Sequence, residues 1–129
     1  MSPTNSLPDW LDHALEALQA GDIKAYTAIY AEDAVHEFPV AAAGGPRRLE
    51  GRDQIAAYMS RLPEMIRFGS IDDIRVREAG DELIVEASGH HHRLSDDTSL
   101  DIAYIWFITH RGGMITHFRD YMAPPPASE

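Results

Sequence analysis

The chain has no cysteine. That excludes disulfides, thiolate nucleophiles and cysteine-ligated metals, and it fits a reducing, cytoplasmic setting. Positive charge is also scarce. Eleven Lys and Arg stand against 21 Asp and Glu, for a formal net charge of −10. A surface of that sign repels phosphate backbones and anionic lipid, so neither nucleic acid nor membrane is an expected partner. No hydrophobic run is long enough to cross a bilayer, and no signal-peptide pattern opens the chain. Phosphate-binding loops are missing too. Gly44-Gly45 is followed by Pro46, with no Lys-Ser/Thr pair behind it, and no serine lies in a recognisable nucleophile motif.

What remains is material for one domain. The length is 129 residues, 44% of them hydrophobic, enough for a single core. The expectation is one domain over 1–129 with an ordered core of about 9–122, because Met1–Asn5 and Ala123–Glu129 are polar or proline-rich. Trp10, Leu11, Ala14, Leu15 and Leu18 have helical spacing over Asp9–Ala20, and Gly21 stops the run. Asp22 caps a second helix with Ile23, Tyr26, Ile29 and Tyr30 on one face. Ala34–Val40 is extended, Ala41–Arg48 is a loop, and Gly51 precedes a third helix over Arg52–Leu62, ended by Pro63.

From Ile71 the period changes to two. Ile71–Glu78, Glu82–Leu94 and Ser99–His110 read as strands, the last apolar on both faces and hence central in its sheet. After Arg111-Gly112-Gly113 comes a fourth alternating run, Met114–Met122. It puts Thr116, Phe118, Asp120 and Met122 on one side and Ile115, His117, Arg119 and Tyr121 on the other. Asp120 shares its face with a Phe and a Met, where an ionised carboxylate is costly unless paired or solvated. That face lines a polar pocket, or Asp120 sits at the wet end of a strand stopped by Pro124, Pro125 and Pro126. Helices followed by an antiparallel meander make an α+β architecture.

Several strings carry a resemblance. Leu18-Gln19-Ala20-Gly21-Asp22, Tyr30-Ala31-Glu32-Asp33-Ala34-Val35, Leu49-Glu50-Gly51-Arg52 and Ile115-Thr116-His117-Phe118-Arg119-Asp120-Tyr121 resemble the nuclear transport factor 2-like superfamily, in its SnoaL-like, limonene epoxide hydrolase-like and ketosteroid isomerase-like group. The resemblance implies a cone-shaped barrel, with three N-terminal helices packed on a curved, mainly antiparallel sheet. It also implies that Asp120 faces the cavity, with Gly89 and His91 beside it. The Arg–Asp pair of the epoxide hydrolases would fall near Gly89 and His91 and is absent. The base of the ketosteroid isomerases would fall at Phe38-Pro39 and their tyrosine near Ala14. Neither of those activities is therefore expected.

The candidate catalytic set is Asp120, His91 and Glu37. A histidine beside a carboxylate makes a general base, and two acids in one apolar pocket push one of them toward a proton donor. Neighbours on a strand point oppositely, so only one of His36 and Glu37 faces in, and Glu37 is the expected one. Trp10, Tyr26, Tyr30, Phe38, Tyr58, Tyr104, Trp106 and Phe118 are the aromatics expected to wall the cavity, with Gly89 among them. His90 and His92 share a strand face and could be joined by His117, but a polar outer face is the plainer reading, and no metal is expected. Ile84, Ile105, Phe107, Ile115 and Tyr121, interleaved with His90, His92, His117 and Arg119, suit the outer sheet face to a homodimer. The expected ligand is a small apolar organic molecule, turned over without a cofactor by an isomerase, cyclase or hydrolase. The alternative is a non-catalytic binding or dimeric accessory domain.

Overall fold

The computed structural model describes residues 6–41 and 45–123. The expectations for Met1–Asn5, for Gly44 and for residues 124–129 lie outside these residues, while Ala123, expected in the loose end, closes the last strand. Helix α1 (Asp9–Gln19) buries Leu11, Ala14, Leu15 and Leu18, the stripe its spacing predicts. Asp9 and Asp12 lie in its first turn, where negative charge suits the helix dipole. Gly21 turns the chain at φ +83°. Asp22 then caps α2 (Ile23–Thr27), its carboxylate accepting from the Ala25 amide at 3.1 Å. The second helix is shorter than its periodicity suggests, and Tyr30 already belongs to β1 (Tyr30–Glu37). Two short elements had no clear sequence signal: β2 (Arg48–Glu50) and β3 (Ile66–Arg67). Between them, α3 (Arg52–Met59) buries Ile55 and Met59, and a 3-10 turn covers Leu62–Glu64. The long strands β4 (Ile71–Ala79), β5 (Glu82–Arg93), β6 (Thr98–Arg111) and β7 (Met114–Ala123) follow.

The seven strands form one sheet in the order β2-β1-β7-β6-β5-β3, with β4 also on β5. Every pairing is antiparallel except β1 with β7, which is parallel. The three helices lie on this curled mixed sheet, which closes part-way into a cone-like half-barrel. The core fills the concave side: Leu83, Val85, Trp106, Ile108 and Phe118 from the sheet meet Leu11, Leu15 and Ile55 from the helices.

Two irregularities decide which side chains face in. Between Tyr30 and Val35 the β1–β7 register slips, so β1 carries extra residues there. A second bulge lies between Thr109–His117 and His110–Ile115 in the β6–β7 pair. The extra residue, Thr116, reverses the alternation, and Ile115 becomes fully buried instead of lying on the outer face. Ile105, Phe107 and Tyr121 keep the outer positions expected of them. Ile105 is exposed, Phe107 meets Tyr121 edge-on at 5.8 Å, and the Arg119 guanidinium sits 4.6 Å from the Phe107 ring centre.

Candidate active site

A pocket of about 220 Å³ lies between the helices and the concave face. Leu11, Leu15 and Leu18 of α1 and Met59 of α3 form one wall, and Tyr104, Trp106, Phe118 and Met122 form the other. Asp120, His36 and His91 are set among these apolar side chains.

Asp120 stands directly opposite Trp106 across the β6–β7 pair. Its Oδ2 lies 3.1 Å from His36 Nε2. The His36 ring is 2% exposed and stacks on Phe118, its parallel neighbour on β7, at 4.4 Å and 12°. On its other side, His36 Nδ1 is 3.0 Å from the Tyr30 hydroxyl, which is 2.8 Å from the Tyr26 hydroxyl. Chemistry fixes the sense of this chain when Asp120 is ionised. A carboxylate only accepts, so Nε2 donates to it. The neutral imidazole then accepts at Nδ1 from Tyr30, and Tyr30 accepts from Tyr26. The chain therefore delivers its donors to one carboxylate oxygen and leaves Oδ1 free. Oδ1 is buried with no hydrogen-bond partner among the described residues, and so is Trp106 Nε1.

Glu37 is not the inward residue, which corrects the sequence expectation. It pairs with His117 and, at 3.5 Å, with Arg48 on the outer side. The physical reason is its place in the alternation. Ala34, His36 and Phe38 are buried together, and Glu37 lies between two of them. The signal was present in the sequence, because Ala34 and Phe38 are the apolar partners of His36 at a spacing of two. His36 is thus the group that reasoning from residue type passed over.

His91 does line the pocket, but it is not Asp120's partner. Its Nδ1 accepts from the Gly69 amide at 3.1 Å, and its Nε2 lies 2.7 Å from the Tyr104 hydroxyl. Burial is the main cause that holds its pKa below the ordinary value, and the neighbouring His90 adds to this. A depressed folded pKa means that the unfolded chain takes up a proton first as pH falls. Stability from neutral His91 is therefore complete above about pH 6.5 and is lost below it, down through the folded pKa. We expect urea unfolding of His91→Gln to show a shallower loss of stability between pH 7 and 5 than the parent. An unchanged slope would assign the acid sensitivity elsewhere.

The aromatics divide. Tyr26, Phe38, Tyr58, Tyr104, Trp106 and Phe118 line the pocket as expected. Tyr30 is fully buried behind His36, and Trp10 lies against His110 and Gly113, away from the pocket. Gly89 is no wall but a gap: a Cβ there would meet His91 Nε2 at 2.5 Å and Tyr104 Cε2 at 2.6 Å. Burial, with the Asp120 charge adding to it, pushes the hydroxyl pKa values of Tyr26, Tyr30, Tyr58 and Tyr104 upward. These groups therefore stay protonated around the carboxylate. The outer histidines do not converge. His90 holds Asp72 at 2.9 Å and Asp101 at 3.2 Å, His92 holds Asp97 at 2.6 Å, and His117 holds Glu37.

The comparisons with known proteins agree on the family. The SnoaL-like domain model matches residues 11–118. Uncharacterised protein YesE of Bacillus subtilis is 33% identical over 105 residues, 80% of this chain and 71% of that one. An uncharacterised PhzA/B-like protein of Pseudomonas aeruginosa is 30% identical over 118 residues, 88% of this chain and 82% of that one. Among solved structures, a Bacillus subtilis protein provisionally assigned as an isomerase superposes with a TM-score of 0.82. It is 30% identical, with 90% of this chain and 88% of that one covered. With the three helices and the curled sheet, these matches place the chain in the SnoaL-like family, with the cone-like fold of the nuclear transport factor 2-like proteins.

Proposed function

We propose that the protein is a cofactor-independent acid/base catalyst, an isomerase, cyclase or hydrolase of a small apolar organic molecule. In this reading Asp120 Oδ1 moves the proton. One observation carries it: the Tyr26–Tyr30–His36–Asp120 chain occupies one carboxylate oxygen and leaves the other without a partner among the described residues, beside an apolar pocket. His36 orients the carboxylate and holds Oδ2 while Oδ1 takes a proton, the role sequence reasoning had offered to His91 or Glu37. A positioned general base of this kind contributes roughly 10²–10⁴-fold to a rate. The isomerase assignment of the Bacillus subtilis structure is compatible with such chemistry. The absence of cysteine supports a cytoplasmic setting.

A substrate-neutral probe tests the reading. A nitrobenzisoxazole opens to a coloured cyanophenolate when a base takes its single ring C–H proton. The expected result is saturable ring opening, faster than with an equal concentration of acetate. Binding without acceleration would instead make the protein a carrier or accessory domain.

The outer sheet face supports assembly as a homodimer. Ile105, exposed, and the edge-to-face pair Phe107 and Tyr121 form an outward apolar strip, flanked by the Arg119–Glu82 pair at 3.8 Å. Sedimentation velocity at tens of micromolar is expected to give twice the 14.4 kDa chain mass, and Ile105→Glu to give the single chain. A wild-type monomer at that concentration would remove the assembly from the proposal.

A further inference from the structure

Between β3 and β4 the chain runs as a short strap, Phe68-Gly69-Ser70, outside any regular element. Phe68 lines the pocket, with Ile66 before the strap and Ile71 after it. The strap lies hard against β5. A Cβ at Gly69 would stand 1.8 Å from the His90 carbonyl oxygen, so only glycine allows the approach. Hydrogen bonds at Gly69 and Ser70 tie it down. The His90 amide donates to the Ser70 carbonyl at 2.9 Å, and the Gly69 amide donates to His91 Nδ1 at 3.1 Å.

The second bond depends on charge. Nδ1 accepts only while it carries no proton, so the neutral ring holds its proton on Nε2 and donates it to the Tyr104 oxygen at 2.7 Å. A proton added at Nδ1 turns that nitrogen into a donor. Two N–H groups then face each other, and the Gly69 amide loses its acceptor. The ring has no room to turn away. It is 5% exposed, and Phe68 meets it edge-on at 5.4 Å and 81°. It also lies so close to Gly89 that a Cβ there would meet Nε2 at 2.5 Å. The Tyr104 bond survives, because Nε2 donates in both charge states. What yields is the strap, where Phe68 and Gly69 are half-buried and Ser70 is exposed.

We propose that His91 is an acid-released latch: neutral, it holds the Phe68–Ser70 strap against the pocket, and protonated, it frees the strap and opens the pocket between β3 and β4. The latch belongs to the pocket wall and stands apart from the reading of Asp120 as the base. Ligand exchange through this side is then slow near neutral pH and fast in acid.

The surroundings set the direction. Burial is the main cause that holds the His91 pKa below the ordinary value; the His90 charge adds to it, and Asp101 opposes both. Hydrogen bonds to Asp72 of β4 and Asp101 of β6 push the His90 pKa upward, so His90 is charged before His91. Tyr104 faces the ring from β6, and Arg67 of β3 stands opposite His92. Asp120 and His36 share the pocket, and Asp12 and Glu16 of α1 share a groove with Ser70. A latch held by a depressed histidine pKa is complete above about pH 6.5, the ordinary value. Below it, opening grows roughly tenfold per pH unit until the strap stands free.

The test follows the isotope-labelled chain by nuclear magnetic resonance from about pH 7.5 to about pH 4.5. At the upper end the His91 ring should be protonated on Nε2. As pH falls, the Gly69 amide should lose protection from hydrogen exchange roughly tenfold per pH unit below about 6.5, while the Val85 and Ile108 amides keep theirs. His91→Asn puts an amide oxygen where Nδ1 stood, does not titrate and retains the other ionisable groups around it. Its Gly69 protection should not change with pH. Opening is read separately in Trp10→Phe, where Trp106 is the one tryptophan left. Quenching of its fluorescence by acrylamide, which is uncharged, should rise roughly twofold in acid and stay flat once His91→Asn is added. A ring protonated on Nδ1 at neutral pH overturns the latch. So does Gly69 protection that holds while the ring titrates, a ring that stays neutral until the chain unfolds, or a loss shared with Val85 and Ile108. Flat quenching in Trp10→Phe overturns the opening, and a His91→Asn chain that still opens in acid assigns it to another group. If His91→Asn does not fold, the wild-type exchange curve decides alone.

Discussion

Asp120→Asn is expected to slow proton abstraction from the nitrobenzisoxazole by roughly 10²–10⁴-fold and to leave the fold intact. The amide is nearly isosteric with the carboxylate, and its oxygen can still accept from His36 Nε2, now 3.1 Å from Oδ2. The stacking of His36 on Phe118 and the Tyr30–Tyr26 pair do not depend on the charge. The base is lost, because an amide does not take a proton near neutral pH. Near-ultraviolet circular dichroism should therefore match the wild type while the rate collapses. Glu37→Gln is the internal control. Its carboxylate belongs to the outer His117 and Arg48 pair, so the rate should stay within about twofold, the scale of a surface substitution. An Asp120→Asn rate within threefold of the parent would remove Asp120 from the chemistry. A large effect from Glu37→Gln would mean that the relevant base lies outside the pocket.

Much of this geometry follows from alternation that can be read directly in the chain. On β5, Leu83, Val85, Ala87, Gly89 and His91 are the buried set, which is the period of two that makes Glu82–Leu94 legible as a strand. The apolar stripe of α1 and the Asp22 cap are equally local features. The failures arise where local period and tertiary pairing part company. Tyr30 completes a helical stripe by spacing, but parallel pairing with Ile115 claims it for β1. Ile115 and His117 look like partners on one face until the bulge at Thr116 turns Ile115 inward. A bulge is set by how two strands meet, so neither strand's sequence announces it alone. The choice between His36 and Glu37 failed differently. Acid/base chemistry favours a second cavity carboxylate, but Ala34 and Phe38 mark the buried face, and His36 shares it. The unpartnered Trp106 N–H could not have been foreseen, because satisfaction of a polar atom depends on every neighbour at once.

His36→Phe should be the most destabilising single change in the site, by about 2–4 kcal/mol in urea unfolding. Removing one member of a fully buried pair typically costs about 3–5 kcal/mol, because the other is left desolvated and unpaired. Asp120 retains 13% exposure, which lets some water reach it and lowers the figure. The phenyl ring can keep the stack on Phe118, so the loss reports hydrogen bonding more than packing. It strips the donor from Asp120 Oδ2 and the acceptor from the Tyr30 hydroxyl, which then has only Tyr26. A double-mutant cycle isolates the pair. Asp120→Leu alone leaves the His36 Nε2 proton without an acceptor, whereas His36→Phe with Asp120→Leu removes both partners together. Replacing both ends of a buried polar pair by apolar groups is close to neutral when the shapes fit. The double variant should therefore lose less than the sum of the singles, by about 1–2 kcal/mol of coupling. Both singles and the double should be inactive toward the probe, Asp120→Leu for want of a base and His36→Phe for want of its orientation. Additivity within about 0.5 kcal/mol would mean that His36 and Asp120 are neighbours without an energetic link, and the chain from Tyr26 to Asp120 would then have no part in setting the base.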